Sequence, residues 1–182
     1  MAKIHNDKYY TPEAVVKKVI EVIERDVMPI NKFSRIIEPG AGAGAFLKRL
    51  PEKTIGYDIE PQSENIIKGD YLKQDIPYLK DSLVIGNPPF GESGNLHTEF
   101  IKRSIEHSDY VAFILPGDMY KKDKFEGIEL YKTYMLPAVK YSGVKLKCCF
   151  NIYRKRKKRL KEKNIKNVEI LTFSKTKNTT RQ

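Results

Sequence analysis

Residues Arg35 to Leu50 read Arg-Ile-Ile-Glu-Pro-Gly-Ala-Gly-Ala-Gly-Ala-Phe-Leu-Lys-Arg-Leu: a short apolar strand, three spaced glycines and a helical stretch in direct succession. Glycine lets a backbone turn sharply and approach a ligand, and the start of a helix offers unpaired N–H groups to it. A strand that feeds a helix through such a turn opens a β-α-β unit, so the chain is read as an α/β fold with a largely parallel sheet. Many nucleotide-binding proteins share this turn, and it can also be no more than a tight turn.

The remaining pattern extends that reading. Thr11-Pro12-Glu13 predicts a helix start with Thr11 as cap, followed by Val15, Val16, Val19, Ile20 and Ile23 at helical spacing. Strands are predicted over Thr54 to Tyr57, ending at Asp58; over Asn65 to Lys68, ending near Asp70; and over Ser82 to Gly86. The last of these stops at Asn87-Pro88-Pro89-Phe90, because two prolines cannot continue a ladder. A helix is predicted over Leu96 to His107, a buried strand over Tyr110 to Leu115, and another helix over Lys124 to Met135, weakened by Gly127. Lys145 to Tyr153 and Val168 to Phe173 are expected to close the sheet as a pair. The connection between them, Arg154 to Lys163, has eight basic residues in ten. Gly91 to Asn95 is read as a mobile loop beside the proline turn, and Lys175 to Gln182 as a disordered tail.

A length of 182 residues fits one domain, here 1–174, and the composition, 40% apolar and 31% charged, is that of a globular protein. No run approaches the roughly 20 apolar residues of a membrane span, and the first residues lack a signal-peptide core, so a soluble cytoplasmic protein is expected. Cys148 and Cys149 are adjacent and predict buried thiols, not a disulfide; His5, His97 and His107 lack metal-site spacing, so no metal is expected. The net charge of +11 favours a polyanionic partner, although a lysine-rich surface alone would give the same sum.

The chemistry is carried by two further features. Asp58 stands at the end of the next strand, about 20 residues beyond Glu38, where a carboxylate can accept the hydroxyl protons of a ribose. That pair implies a nucleoside cofactor, either a nicotinamide dinucleotide or S-adenosylmethionine. Asn87-Pro88-Pro89-Phe90 separates the two. The lone pair of an aromatic amine is delocalised into its ring. Two acceptors on its protons, the Asn87 carboxamide oxygen and the Pro88 carbonyl, would draw the nitrogen toward tetrahedral geometry. Pro89 would hold the second acceptor rigid, and Phe90 would stack on the base.

On these residues the sequence resembles the amino-methyltransferases of the class I S-adenosylmethionine superfamily, especially the DNA adenine-N6 enzymes, from Tyr9-Tyr10-Thr11-Pro12 through Phe150-Asn151-Ile152-Tyr153. The resemblance implies a Rossmann-like domain with a seven-stranded, mostly parallel sheet, an antiparallel last strand and helices on both faces. It implies that Tyr10 and Thr11 contact the methionine part of the cofactor and that Glu38, Gly40, Gly42 and Gly44 form its glycine motif. By the same likeness Asp58 binds the ribose, Asp70 the adenine, and Asn87 both cofactor and target. Asn87, Pro88, Pro89 and Phe90 become the catalytic residues, in the gamma order of motifs. A late aromatic, Phe150 or Tyr153, is expected against the flipped base. If the last two strands form a hairpin, their basic connection with Arg154, Arg156 and Lys157 lies beside the catalytic turn and touches phosphates.

The implied activity is methylation of adenine N6 in nucleic acid, DNA ahead of RNA. No separate target-recognition region is evident after Phe90, so discrimination is loose, or supplied by a partner subunit, or the substrate is a structured RNA. A protein glutamine methyltransferase would favour Tyr over Phe90. A catalytically idle nucleic-acid-binding subunit would have no use for the cofactor loop, and a dehydrogenase none for the proline turn.

Overall fold

The computed structural model describes residues 11–91, 95–123, 125–141, 144–156 and 169–170. Expectations for Tyr10, Lys157, the centre of the Gly91 to Asn95 loop, most of the basic run and the 175–182 tail fall outside those residues.

Five strands run parallel in the chain's first two thirds: β1 (Arg35–Pro39), β2 (Ile55–Asp58), β3 (Ile66–Lys68), β4 (Ser82–Gly86) and β5 (Tyr110–Pro116). After them come β6 (Ile128–Met135), the hairpin of β7 (Val139–Tyr141) and β8 (Val144–Leu146), then β9 (Cys148–Lys155) and the two-residue β10 (Glu169–Ile170). The sheet order is β10-β6-β9-β5-β4-β1-β2-β3, with β9 antiparallel between β5 and β6. Seven strands thus form a mixed sheet with one antiparallel member, and β10 extends its edge beside β6.

Helices cover both faces, and the strands' twofold alternation decides which residue meets which helix. Ile36, Leu83, Ile85, Ala112, Ile114, Phe150 and Ile152 point to one face, where α1 (Glu13–Asp26) buries Val15, Val16, Val19, Val22 and Ile23. Ile37, Val84, Val111, Phe113, Leu115 and Cys149 point to the other, where α2 (Leu96–His107) buries Phe100 and Ile101. No helix among the described residues is long and apolar enough to cross a membrane.

Four expectations are corrected. Lys124 to Met135 is not helical: Ile128–Met135 is a full strand against β9. The closing pair is β6 with β9, and the described part of Val168 to Phe173 instead pairs with β6. Ala45 to Leu50 forms successive turns, with the Lys48 N–H donating to the Gly44 carbonyl at 3.2 Å and Leu50 to Phe46 at 3.0 Å. Finally, Thr11 does not cap α1. The Pro12 carbonyl takes the Val15 and Val16 N–H groups at 2.9 and 3.1 Å, with no side-chain cap.

Candidate active site

Parallel strands deliver their carboxyl ends to one edge of a sheet, where loops from neighbouring strands converge. At that edge the loop after β1, the ends of β2 and β3, and the turn after β4 enclose a cavity of about 340 Å³. Thr11, Glu38, Gly40, Gly42, Asp58, Asp70, Asn87 and Pro89 line it, so most residues expected at a cofactor come together here.

The loop after β1 turns on glycines in the left-handed region: Gly40, Gly42 and Gly44 have φ of 65°, 53° and 72°. Gly40 is needed for a second reason, because a Cβ there would come within 3.3 Å of Pro89 Cδ. The glycine loop and the proline turn are therefore in contact across adjacent strands. Gly44 faces the other way, toward Leu47 and Ile66, and does not line the cavity.

Glu38 ends β1 beneath this loop, 3% exposed, and accepts the N–H groups of Phe46 at 3.3 Å and Leu47 at 2.9 Å. Burial pushes its carboxyl up to about 7, against the pull of those two donors, with nearby Asp58 adding to the rise. Its geometry is that of a brace for the loop. Asp58 accepts the Gly42 N–H at 2.7 Å on one oxygen and the Glu60 N–H at 2.8 Å on the other. A carboxylate offers about four acceptor sites, so capacity for ligand hydroxyls persists. Asp70 caps the single 3-10 turn Tyr71–Lys73 through the Leu72 N–H at 3.0 Å, and Lys73 lies 3.4 Å from its other oxygen.

In the turn after β4, Asn87 Nδ2 donates to Thr11 Oγ1 at 3.1 Å, a bond that crosses from the turn to the entry of α1. Phe90 packs on the α1-side core and meets the His97 ring edge-on, centroids 6.2 Å apart. Gly91 follows with φ 78°, where a Cβ would come within 2.8 Å of Leu96 Cβ.

Other expected residues lie elsewhere. Phe150 is fully buried in the α1-side core, paired with Ile114 and Tyr134. Tyr153 is equally buried, and its hydroxyl donates to the Lys122 carbonyl at 3.3 Å. Neither lines the cavity. Because β9 is antiparallel, it ends at the edge opposite the site. There Lys155 N–H donates to the Asp109 carbonyl at 2.9 Å, just before β5 begins, and Arg156 N–H to Gly127 at 3.0 Å. Arg154 pairs with Glu129 at 2.5 Å and covers the Tyr131 ring at 4.2 Å. The expected placement of the basic connection beside the proline turn is therefore corrected at its described start.

The cavity also contains residues that the sequence reading did not select: Tyr57, Ile59, Gln62, Leu72 and Phe100. Ile59 carried a signal, an isoleucine directly after the acid that ends a strand, and it is 57% exposed. Tyr57 and Phe100 lay within elements read only for their folding, and Gln62 and Leu72 in connections outside any predicted element.

No protein-family model and no curated protein sequence matches the chain. Solved structures do. A provisionally named RNA methyltransferase from Pyrococcus horikoshii superposes with a TM-score of 0.65 at 16% identity, over 85% of this chain and 91% of that one. A provisionally named class I S-adenosylmethionine-dependent methyltransferase from Listeria monocytogenes gives 0.67 at 16% identity, over 94% and 68%. The M protein of the type I restriction enzyme EcoKI gives 0.63 at 16% identity, over 85% of this chain but 45% of its own. At such identities the likeness establishes the fold: it is the class I methyltransferase, Rossmann-like fold.

Proposed function

We propose that the protein transfers a methyl group from S-adenosylmethionine to the N6 amino group of adenine in nucleic acid, with DNA the favoured substrate. One observation carries the reading: the Asn87-Pro88-Pro89-Phe90 turn is seated directly on the glycine loop, Pro89 against Gly40, with Asn87 lining the same cavity as Asp58 and Asp70.

The cavity fits the cofactor. Its volume of about 340 Å³ lies within the usual range for small-molecule sites. Among its polar groups, the acceptors Asp58 and Asp70 suit ribose hydroxyls and an adenine amino group, and Ile59 and Leu72 provide apolar surface for a purine. When bound, S-adenosylmethionine supplies an electrophilic methyl group. Thr11 receives the Asn87 Nδ2 protons, so accepting falls to Asn87 Oδ1. Asn87 Oδ1 and the Pro88 carbonyl would accept hydrogen bonds from the two N–H groups of the target amine and so free its lone pair for the methyl group that S-adenosylmethionine would supply. Neither acceptor is a strong base, so the proton released on transfer passes to water. Phe90 stacks on the base and, with the proline-stiffened turn, fixes the in-line approach. Extrusion of the base costs a few kcal/mol in a duplex and less in a single strand, which favours single-stranded or distorted DNA.

RNA is the second reading, favoured by the likeness to the Pyrococcus protein named for RNA methylation. A partner subunit that supplies sequence readout is compatible with either. The test is transfer of label from S-adenosylmethionine to unmethylated DNA, total RNA and a protein extract, with the modified product identified by mass spectrometry. N6-methyladenine in DNA is expected; the same product confined to RNA exchanges the two readings, and label found only in protein overturns both.

A further inference from the structure

The first turn of α2 stands between two cavities. Leu96 and Phe100, one turn apart, line the cofactor cavity, whereas His97 lines a second cavity of about 260 Å³ at the ends of β4 and β5. Asn95, Thr98, Asp118, Met119, Lys122 and Phe125 complete it. His97 is 4% exposed, its ring is edge-on to Phe90, and its side chain also engages the Phe90 backbone, so it ties the catalytic turn to this cavity.

The segment that carries Asp118 and Lys122 is held from below by a buried polar network. Asn151 on β9 donates to the Met119 carbonyl at 2.8 Å and to the Tyr153 hydroxyl at 2.9 Å, and Tyr153 in turn donates to the Lys122 carbonyl. Thr133 on β6 donates to Asn151 Oδ1 at 2.7 Å. This framework keeps the Lys122 ammonium 3.0 Å from an Asp118 carboxylate oxygen. An acceptor beside a donor, between the apolar walls of Met119 and Phe125, is the pattern that meets the edge of a nucleobase, where donors and acceptors alternate.

We propose that this second cavity takes the base of the nucleotide adjoining the target, and that His97, Asp118 and Lys122 determine which base is accepted there. The inference rests on the proposed transfer to nucleic acid. In that reading Asn87, Pro88 and Phe90 hold the target. The second cavity adjoins this turn through His97, whose ring lies against Phe90, and so receives the next group along the strand. The catalytic domain thereby reads sequence context from its own loops.

The test compares kcat/KM on short single-stranded oligonucleotides that differ only in the bases flanking one adenine, for the wild type and for Asp118→Asn, Lys122→Met and His97→Ala. The first two alter solvent-exposed side chains and guard against loss of folding at buried His97; binding of S-adenosylhomocysteine within about twofold of wild type confirms an intact cofactor cavity. The wild type is expected to prefer one flanking base by about tenfold or more, and the variants to lose most of that preference. A uniform loss on all oligonucleotides assigns Lys122 to phosphate and overturns the inference. So does a wild type indifferent to the flanking base, or a preference unchanged in all three variants. Absence of any transfer to nucleic acid overturns the proposed function, and this inference with it.

Discussion

Two side chains at the site act through opposite chemistry, and each makes a prediction of its own. In the proposed reading Asn87 acts on the target amine, while the rest of the cofactor cavity is lined by other residues, Asp58 and Asp70 among them. Asn87→Ala is therefore expected to abolish detectable transfer yet leave S-adenosylhomocysteine affinity within a few fold, measured by single-turnover transfer and by calorimetry. Glu38 works on the protein itself. Its carboxyl has an ordinary value of 4.5 and is raised by burial to about 7 in the folded chain. The folded state thus holds this proton more tightly than the unfolded state. The stability it contributes is fully present below pH 4.5 and is lost as pH rises through about 7. Glu38→Gln keeps the group neutral at every pH, so the fall in urea midpoint from pH 5 to 7 seen in the wild type should flatten in the variant. An equal fall in both proteins would place the titration elsewhere.

Among the elements, a matched pair of glycines separates a turn at the site from one at the opposite edge of the sheet. Gly91 and Gly127 have nearly the same φ, 78° and 79°, but a Cβ at Gly91 would meet Leu96 at 2.8 Å and one at Gly127 would meet nothing within 4 Å. Gly127→Ala should cost only the backbone strain, about 1–2 kcal/mol. Gly91→Ala should cost more and also slow transfer, since it displaces the first turn of α2 beside Phe90; thermal denaturation and transfer rates test both. The same contrast explains what could be read from the sequence. β4 and α2 were legible to the residue, because Ser82–Gly86 has an apolar centre and stops just before two prolines, and Leu96–His107 keeps one periodicity. β6 was not. Its register shifts between Leu130 and Lys132, so Leu130 and Tyr134, an even spacing that an unbroken strand would keep on one face, join opposite cores and the alternation is lost. The stretch after the glycine loop forms turns in place of the expected helix because its hydrogen bonds alternate in reach: the Arg49 N–H donates three residues back, to Phe46, between the four-residue bonds of Lys48 and Leu50.

At the scale of the whole molecule, strand direction decides what the positive charge can reach. Asp58, Asp70 and the glycine loop meet at one cavity because the strands they end or follow are parallel, and parallel strands share an edge. The basic connection was misplaced because an antiparallel strand inverts that rule, carrying Arg154, Lys155 and Arg156 to the far edge. There two of them already have partners: Arg154 holds Glu129 and Tyr131, and the Lys155 ammonium lies 3.8 Å from the Tyr78 ring centroid, with the Tyr78 hydroxyl bonded to Asp109 at 2.8 Å. A net charge of +11 draws nucleic acid to the whole surface, but only phosphates in contact release counterions and set the salt dependence. Replacing Arg154, Lys155 and Arg156 together by Gln should therefore leave the slope of log Kd against log salt unchanged for a short single-stranded oligonucleotide seated at the proline turn, as measured by fluorescence anisotropy. Three lost phosphate contacts would instead lower the slope by about 2. A drop of that size would show that the strand leaves the site, rounds the sheet and is gripped at the opposite edge.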